Sequence, residues 1–313
     1  MNRMLVVCPP LAKQHGIERY GDVMITRMIT PDEPLDVEAT LRRLEVGRID
    51  SEGTWWWATP GEAGPTTVAI GAVDGGAVVR AWGPGSQRAI DLSDRLLGVH
   101  LPPPPLFPGT PAGRFLARSR AVRTGHTGDV FGAVVFAVCG QIVTRHEAGA
   151  SVRALRSRFG SAAPGPVALR SLPGPEVVSS LGYEDLHDCG IERRRASALI
   201  EAARRHRRLV EIVELPVAEG YRRLMAVRGL GQWSAALVMG QAVGDLDAVP
   251  LGDFHLPNTI AWALAREERG TDERMEELLE PYRPFRGHVV HALIEHGVHA
   301  PRYGPRMPIR THW

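Results

Sequence analysis

The chain is 313 residues long and 44% hydrophobic, which is enough for one large domain or two ordinary domains with sizeable cores. Its formal net charge is +2, but residues 1–111 hold 10 basic and 13 acidic side chains, whereas residues 112–313 hold 27 and 22, so the second part suits a polyanionic partner. No apolar run approaches the 18 residues of a membrane-spanning helix, and the apolar run at the start is too short for a secretory signal, so we expect no membrane partner.

The first part of the chain has the pattern of a small antiparallel sheet. Runs rich in β-branched and aromatic residues predict strands at residues 20–30, 53–59, 66–70 and 77–82. Asp74-Gly75 between the last two runs is a strong hairpin signal. Residues 36–46 fit a strand or a helix, and residues 84–97 have the apolar spacing of a helix. We therefore expect an α+β unit over residues 20–100.

Three consecutive tryptophans, Trp55, Trp56 and Trp57, lie in the second predicted strand. They could form a platform on which nucleic acid bases stack. Because side chains alternate along a strand, they could instead divide between the sheet core and a face that contacts another domain. The second interpretation is the favoured one.

The sequence LPPPPLFPGTP at residues 101–111 is the clearest linker, because consecutive prolines favour an extended conformation and end a preceding helix. We place the domain boundary at its end, which gives domains of residues 1–111 and 112–313. The second domain has helical periodicity throughout, with helices predicted at about 129–143, 147–159, 175–181, 184–189, 192–213, 216–225, 232–243, 255–266, 271–280 and 286–297. The arginine-rich helix at 192–213 could follow DNA, although a solvated helix face explains it as well.

Residues 224–257 are the most informative stretch. Gly229-Leu230-Gly231 is a tight turn between two helices, which can present backbone N–H groups to an anion at a helix N-terminus. The same pattern also fits a plain helical hairpin. Asp253 follows about twenty residues later, just before a helix marked by Pro257. It could cap that helix, or it could face the glycine turn as a functional carboxylate.

Four segments together resemble the helix-hairpin-helix superfamily of DNA glycosylases, and within it DNA-3-methyladenine glycosylase II. They are VRGLGQWSA at 227–235, PLGD at 250–253, CGQIVT at 139–144 and EPYRPFR at 280–286. The resemblance covers residues 115–297 and extends to the first part of the chain. It implies an α+β, TBP-like N-terminal domain followed by an all-α helix-hairpin-helix glycosylase domain.

The resemblance implies that an alkylated purine, such as 3-methyladenine, is flipped out of double-stranded DNA and its N-glycosidic bond is hydrolysed. Asp253 would be the catalytic carboxylate that stabilises the oxocarbenium-like sugar and orients water. Superfamily members that also cut the strand carry a lysine where this chain has Trp233, and Lys13 is the only lysine here. We therefore expect a monofunctional glycosylase without lyase activity.

The resemblance also assigns binding residues. It implies a base pocket lined by Trp233, Phe254, Phe285 and Leu237, a phosphate site at Gly229, Gly231 and Gln232, and a monovalent cation on the backbone carbonyls of Met225, Val227 and Leu230. Ile142 corresponds to the wedge that fills the gap left by the flipped nucleotide. Gln141 would contact the opposite base or the backbone. Two alternatives stay open, because Ile142 could be a buried helix residue and Trp233 an ordinary core residue.

No cofactor or side-chain metal site is expected. Cys8, Cys139 and Cys189 are too dispersed for a metal cluster or a disulfide framework, and such thiols suit a reducing cytoplasm. His288 and His291 share a helix face but lack a third ligand at a suitable spacing. We expect a monomer. The alternative function is a non-catalytic helix-hairpin-helix module that binds damaged or bent DNA, and Asp253 argues against it because binding alone needs no such carboxylate.

Overall fold

The computed structural model describes residues 6–7 and 24–301. Within this range the N-terminal part is an antiparallel sheet of six strands, which are Val6–Val7, Met24–Ile29, Arg48–Ile49, Thr54–Thr59, Thr66–Val73 and Gly76–Trp82. In space the order is first, second, sixth, fifth, fourth and third. Val73 pairs with Gly76 across the predicted Asp74-Gly75 turn, so the hairpin prediction is confirmed. Cys8 and Lys13 lie outside the described residues.

The tryptophans alternate between the two faces of the sheet. Trp55 and Trp57 pack in the core beneath the sheet. Trp56 points to the other face, where its ring stacks on Trp82 at a centroid distance of 5.6 Å and its indole N–H donates to Asp50 at 2.7 Å. A short hairpin from the helical part, with strands Ala162–Ala163 and Leu169–Arg170, packs against this second face. The favoured interpretation, core plus domain contact, is therefore confirmed.

Three short helices cover the core face of the sheet. The ambiguous stretch forms the helix Val37–Arg43, which Asp36 caps by accepting a hydrogen bond from the Ala39 N–H. The single helix predicted at 84–97 is wrong, because the structure has two helices, Ser86–Asp91 and Ser93–Leu96. The Ser93 hydroxyl and the Arg27 guanidinium both donate to the Ile90 carbonyl, and such side-chain bonds compete with helix continuation.

The rest of the described chain is helical, apart from the short hairpin. The α-helices are Gly113–Arg118, Val130–Cys139, Arg145–Phe159, Pro175–Ser180, Tyr183–His187, Arg193–Arg204, His206–Leu209, Val217–Met225, Gln232–Val238, Leu256–Ala265, Asp272–Leu279 and Arg286–Glu295. Tighter 3-10 turns occur at Val210–Val213 and Glu280–Tyr282, and a wider π turn at Met239–Val243. No described helix is long and apolar enough to cross a bilayer.

Two predicted helices are shorter than expected. The helix predicted at 129–143 ends at Cys139, whose carbonyl accepts a hydrogen bond of 3.0 Å from the buried guanidinium of Arg195. The chain then turns through Gly140, so Ile142 lies outside the helix. The helix predicted at 192–213 ends at Arg204 and continues as the separate turns His206–Leu209 and Val210–Val213.

The helical part contains two apolar cores. The first surrounds the central helix Val130–Cys139 and includes the hairpin helices, and the second surrounds Leu256–Ala265 and Arg286–Glu295. Phe107 of the proline-rich linker packs on Tyr282 of the second core at a ring distance of 5.2 Å. A domain boundary at residue 111 stays a prediction.

The sheet unit contacts the helical part through polar side chains. The Arg43 guanidinium donates to the His288 carbonyl at 3.2 Å and lies 3.1 Å from His288 Nδ1. Gln241 donates to the Leu44 carbonyl at 2.8 Å. These contacts join the helix Val37–Arg43 and its end to the last described helix of the second core and to the π turn after the hairpin.

Candidate active site

The glycine turn joins the helices Val217–Met225 and Gln232–Val238. Gly229 has a φ of +95°, and a Cβ built on it would lie 2.6 Å from the Ala198 Cβ, so both conformation and space require glycine. Gly231 and Gln232 are exposed, and within the described chain no side chain caps the helix that they begin. The backbone donors at this helix N-terminus are therefore open to an external anion.

Gln141 ties the loop after the central helix to the glycine turn. Its side-chain Nε2 donates to the Gly229 carbonyl and to the Ser234 hydroxyl, both at 2.8 Å. Gly140, one residue earlier, leaves room for the Trp233 ring, because a Cβ there would lie 3.3 Å from Trp233 Cη2. Of the two roles expected for Gln141, the structure therefore shows a backbone contact within the protein itself.

Ile142 projects from this loop with 79% of its surface exposed. Its φ of +54° is a left-handed conformation that costs a β-branched residue about 1–2 kcal/mol. The alternative that Ile142 is a buried helix residue is therefore wrong, because the helix has already ended at Cys139. An apolar side chain held in solvent on a strained backbone has a geometry suited to insertion into a partner.

Asp253 is half-buried, and three hydrogen-bond donors hold its carboxylate. Oδ1 accepts from the backbone N–H groups of His255 at 2.8 Å and Leu256 at 2.9 Å, at the start of the helix Leu256–Ala265. Oδ2 accepts from the indole Nε1 of Trp233 at 3.0 Å. One oxygen therefore binds donors at the start of a helix, as the capping interpretation expects, and the other faces the hairpin, while a functional role for the carboxylate stays a prediction.

The other three expected pocket residues have different surroundings. Phe254 is 86% exposed and contacts His255 with a ring distance of 4.8 Å. Phe285 packs edge-on against Phe107 of the linker at 6.2 Å. Leu237 is partly buried against the first helical core. The structure therefore brings Trp233 to Asp253, while a base-pocket role for these three residues stays a prediction.

The EPYRPFR segment supports the loop that leads to Asp253. Arg286 donates from Nε and Nη2 to the two carboxylate oxygens of Asp247, at 2.9 and 2.7 Å, and its backbone N–H adds a third bond. Arg283 binds the same carboxylate from the exposed side at 3.1 Å. The sequence alone does not single out Asp247; only its position between the hairpin and Asp253 could have indicated it.

A second acidic side chain in this loop contacts the first hairpin helix. The Tyr221 hydroxyl donates to Asp245 Oδ2 at 3.1 Å. Burial raises the pKa of the Asp245 carboxyl and the pKa of the Tyr221 hydroxyl above their usual values. The loop before Asp253 is thus anchored to the hairpin at one residue and to the EPYRPFR segment at another.

Side-chain metal ligands and the backbone cation site are two separate expectations. In the part of the chain that the structure describes, no three His, Cys, Asp or Glu side chains are grouped so as to hold a metal. His288 is buried, with Nδ1 3.0 Å from the Thr124 hydroxyl, and burial together with the Arg43 charge lowers its pKa to about 2. Met225, Val227 and Leu230 lie within the turn region, and a monovalent cation on their carbonyls stays a prediction.

Comparison with known proteins finds a family model that matches this part of the chain. Residues 135–284 match the model of the HhH-GPD superfamily of base excision DNA repair proteins. A Bacillus subtilis (strain 168) protein, YfjP, provisionally named a DNA-3-methyladenine glycosylase, is 25% identical over 117 residues, which are 36% of this chain and 41% of that protein. The match therefore spans less than half of that relative.

Two solved structures share the fold over most of the chain. The 3-methyladenine DNA-glycosylase from Archaeoglobus fulgidus has a TM-score of 0.75 at 20% identity, covering 85% of this chain and 97% of that chain. The Clostridium acetobutylicum 8-oxoguanine glycosylase/lyase in complex with double-stranded DNA has a TM-score of 0.70 at 12% identity, covering 90% and 97%. The fold thus combines a helix-hairpin-helix part with an antiparallel sheet unit.

Proposed function

Because the chain belongs to the HhH-GPD superfamily of base excision DNA repair proteins, we propose that it is a monofunctional DNA glycosylase. It hydrolyses the N-glycosidic bond of flipped alkylated purines of the 3-methyladenine type in double-stranded DNA. The observation that carries this proposal is the three-donor arrangement of Asp253 beside the hairpin, with Trp233 as one of the donors.

Asp253 performs the electrostatic part of the reaction. As the base departs, positive charge develops on the sugar, and a preorganised carboxylate stabilises it without having to reorganise. The same group can orient or deprotonate the attacking water. An alkylated purine already carries positive charge and needs little protonation to leave. The carboxylate of Asp253, bonded to the second hairpin helix through Trp233, is sufficient for that chemistry.

Trp233 supports the monofunctional assignment. A lyase step needs an amine that attacks the sugar and forms a Schiff base, and an indole has no such nucleophile. The chain has no lysine other than Lys13. The structural likeness to a glycosylase/lyase concerns the fold, so the absence of lyase activity rests on this residue and is tested separately below.

DNA binding is assigned to two neighbouring elements. The open N-terminus at Gly231 and Gln232 binds a backbone phosphate close to the lesion. Ile142, exposed on the adjoining loop, enters the duplex as the wedge. The bond from Gln141 to the Gly229 carbonyl keeps the two elements at a constant separation.

The N-terminal unit is assigned as TBP-like. Its order of two strands, a helix, four strands and two short helices supports that assignment. Its net charge of −3 over residues 1–111 suggests a supporting rather than a DNA-binding role. A monomer in the cytoplasm is the expected working state.

The proposal is tested by the release of free base from alkylated duplex DNA, with the parent protein and Asp253→Asn. The parent should release methylated purines, and the variant should be slower by about 10²- to 10⁴-fold. Equal release by both proteins would remove Asp253 from the mechanism. A parent that releases nothing but binds abasic duplex tightly would establish the alternative, a non-catalytic module for damaged DNA.

The monofunctional claim has its own measurement. Borohydride reduces a Schiff base to a stable covalent adduct between enzyme and DNA. We expect no adduct when the parent acts on alkylated duplex in its presence. A trapped adduct would contradict the assignment and would require a nucleophile other than residue 233.

A further inference from the structure

We infer that Trp233 is a positioning residue that sets the orientation of the Asp253 carboxylate through its indole N–H. This inference rests on the proposed glycosylase function and gives Trp233 a role other than stacking on the base. The bond from Nε1 to Oδ2 is 3.0 Å long and links residues twenty positions apart. Among the described residues it is a direct side-chain hydrogen bond between the hairpin and Asp253.

The carboxylate needs this second anchor for a simple geometric reason. Both backbone donors, from His255 and Leu256, bind the same oxygen, Oδ1. The torsion about the Cβ–Cγ bond of aspartate is broad, so an anchor on one oxygen restricts the plane of the group only in part. A donor on Oδ2 fixes the plane, and with it the lone pair of Oδ2 that remains available to water or to the sugar.

Trp233 is itself held in place, so its N–H can fix the orientation of the Asp253 carboxylate. It lies in the first turn of the helix Gln232–Val238, and the neighbouring Ser234 is buried and bonded to Gln141. The far edge of its ring rests against Gly140, where a Cβ would come within 3.3 Å of Cη2. The indole therefore spans from the loop that bears Ile142 to the carboxylate.

The hydrogen-bonding role can be separated from stacking. The indole has a single donor and no acceptor, so its polar contribution here is the bond to Asp253. Phenylalanine keeps an aromatic face for a cationic base but has no N–H. A benzothienylalanine at position 233 keeps the size and shape of the indole and replaces only the N–H by sulfur. Loss of activity in both variants would identify the N–H as the group that matters.

The experiment is a double-mutant cycle of Trp233→Phe and Asp253→Asn, read by single-turnover release of methylated purines from duplex DNA treated with dimethyl sulfate. Hydrogen bonds to charged groups are worth about 1.5–3 kcal/mol, so Trp233→Phe should slow release by about 10- to 100-fold. Binding to a duplex with a tetrahydrofuran abasic site should change less than about threefold. In the Asp253→Asn background, Trp233→Phe should have almost no effect, since the asparagine amide offers no equivalent charged acceptor.

The possible results distinguish a failure of this inference from a failure of the proposed function. An unchanged rate in Trp233→Phe, or an equal loss in both Asp253 backgrounds, would overturn the inference and return Trp233 to stacking or packing. A parent that releases no base would instead defeat the proposed function. Trp262→Phe, on the helix that Asp253 caps, is the matched control and should keep the parent rate within about twofold. If Trp233→Phe fails to fold, the benzothienylalanine protein gives the same comparison.

Discussion

Asp253 and the loop that bears Ile142 lie at the two ends of the Trp233 ring, and the two residues are held in opposite ways. Asp253 is half-buried and has three hydrogen-bond donors on its carboxylate. Ile142 is 79% exposed, and its position follows from a left-handed backbone rather than from packing. The group assigned to chemistry is thus fixed by its neighbours, whereas the group assigned to DNA insertion is fixed by the chain itself.

This difference predicts which kind of change damages each element. The contacts around Asp253 hold both the local fold and the carboxylate. Removing a supporting residue should therefore lower the stability and slow the reaction together. At Ile142 stability and function should separate, because the conformation that exposes the side chain is unfavourable for the free protein.

The largest expected effect concerns the ion pair behind the Asp253 loop. Arg286→Ala leaves the Asp247 carboxylate largely buried and without its bidentate partner, which should cost about 3 kcal/mol of unfolding free energy. Urea unfolding measures it. Arg283 binds the same carboxylate but is 50% exposed, against 11% for Arg286, so Arg283→Ala should cost less than about 1 kcal/mol. Equal losses of unfolding free energy in the two variants would show that burial does not determine the strength of these ion pairs.

The next effect is the dependence of stability on pH at His288. Its backbone N–H donates to the carbonyl of Leu246, in the loop that leads to Asp253. Burial, and then the Arg43 charge, lower the folded pKa of His288 from 6.5 to about 2. The unfolded chain therefore binds a proton first as the pH falls. Stability should be complete above pH 6.5 and decline below it, by about 1.4 kcal/mol per pH unit for this group.

Chemical unfolding at pH 7.5 and 5.5 tests this expectation, with His288→Gln as the variant. The variant should lose less stability between the two pH values than the parent does. His126, with a pKa lowered by burial to about 4, keeps part of the slope in both proteins. The exposed His146→Gln should behave as the parent. A variant slope equal to that of the parent would show that His288 is not protonated selectively in the unfolded chain.

A smaller effect of opposite sign is expected at Ile142. Ile142→Gly should raise the unfolding free energy by about 1 kcal/mol, because glycine adopts a φ of +54° without strain. The same change should weaken binding to abasic duplex by about tenfold through loss of the apolar wedge. Ile142→Ala retains the strain and should lose binding without the gain in stability. A less stable Ile142→Gly protein would mean that the isoleucine packs in the free state.

The smallest effect is expected at Gly140, where the loop that bears Ile142 touches the ring of Trp233. Its φ of −82° suits any residue, but a Cβ would press on Trp233 Cη2 at 3.3 Å. Gly140→Ala should therefore lower base release by a few-fold, corresponding to about 0.5–1 kcal/mol, with little change in stability. Combined with Trp233→Phe, whose ring is smaller, the effect should disappear.

Periodicity and turn chemistry predicted most of the secondary structure. The Asp74-Gly75 hairpin, the alternating tryptophans and the helices around residues 256–265 and 286–295 follow from local patterns. Two of the errors arose where a side chain from a distant element binds a carbonyl at the end of a helix. Arg195 binds the Cys139 carbonyl, and Arg27 binds the Ile90 carbonyl, and neither partner is visible in a local window. Periodicity alone therefore placed Ile142 within a helix.

The candidate site was predictable as a set of segments but not as a set of contacts. Motif resemblance singled out Asp253, Trp233 and Gln141, and the structure brings all three to the hairpin. Nothing in the sequence indicates that Trp233 donates to Asp253, because that bond depends on the angle between two helices. The same holds for Asp247, whose partner Arg286 lies 39 residues further on.

The close approach of Gly229 to Ala198 limits which substitutions this chain can accept at the two positions. With only 2.6 Å between the Ala198 Cβ and a Cβ built on residue 229, neither position can enlarge unless the hairpin separates from the helix Arg193–Arg204. The two sites should therefore accept substitutions as a pair, with glycine or alanine retained at 198 wherever the turn glycine is kept. A library that randomises residue 198 alone should return almost exclusively small side chains after selection for a folded protein, because Ala198 is buried where the turn packs.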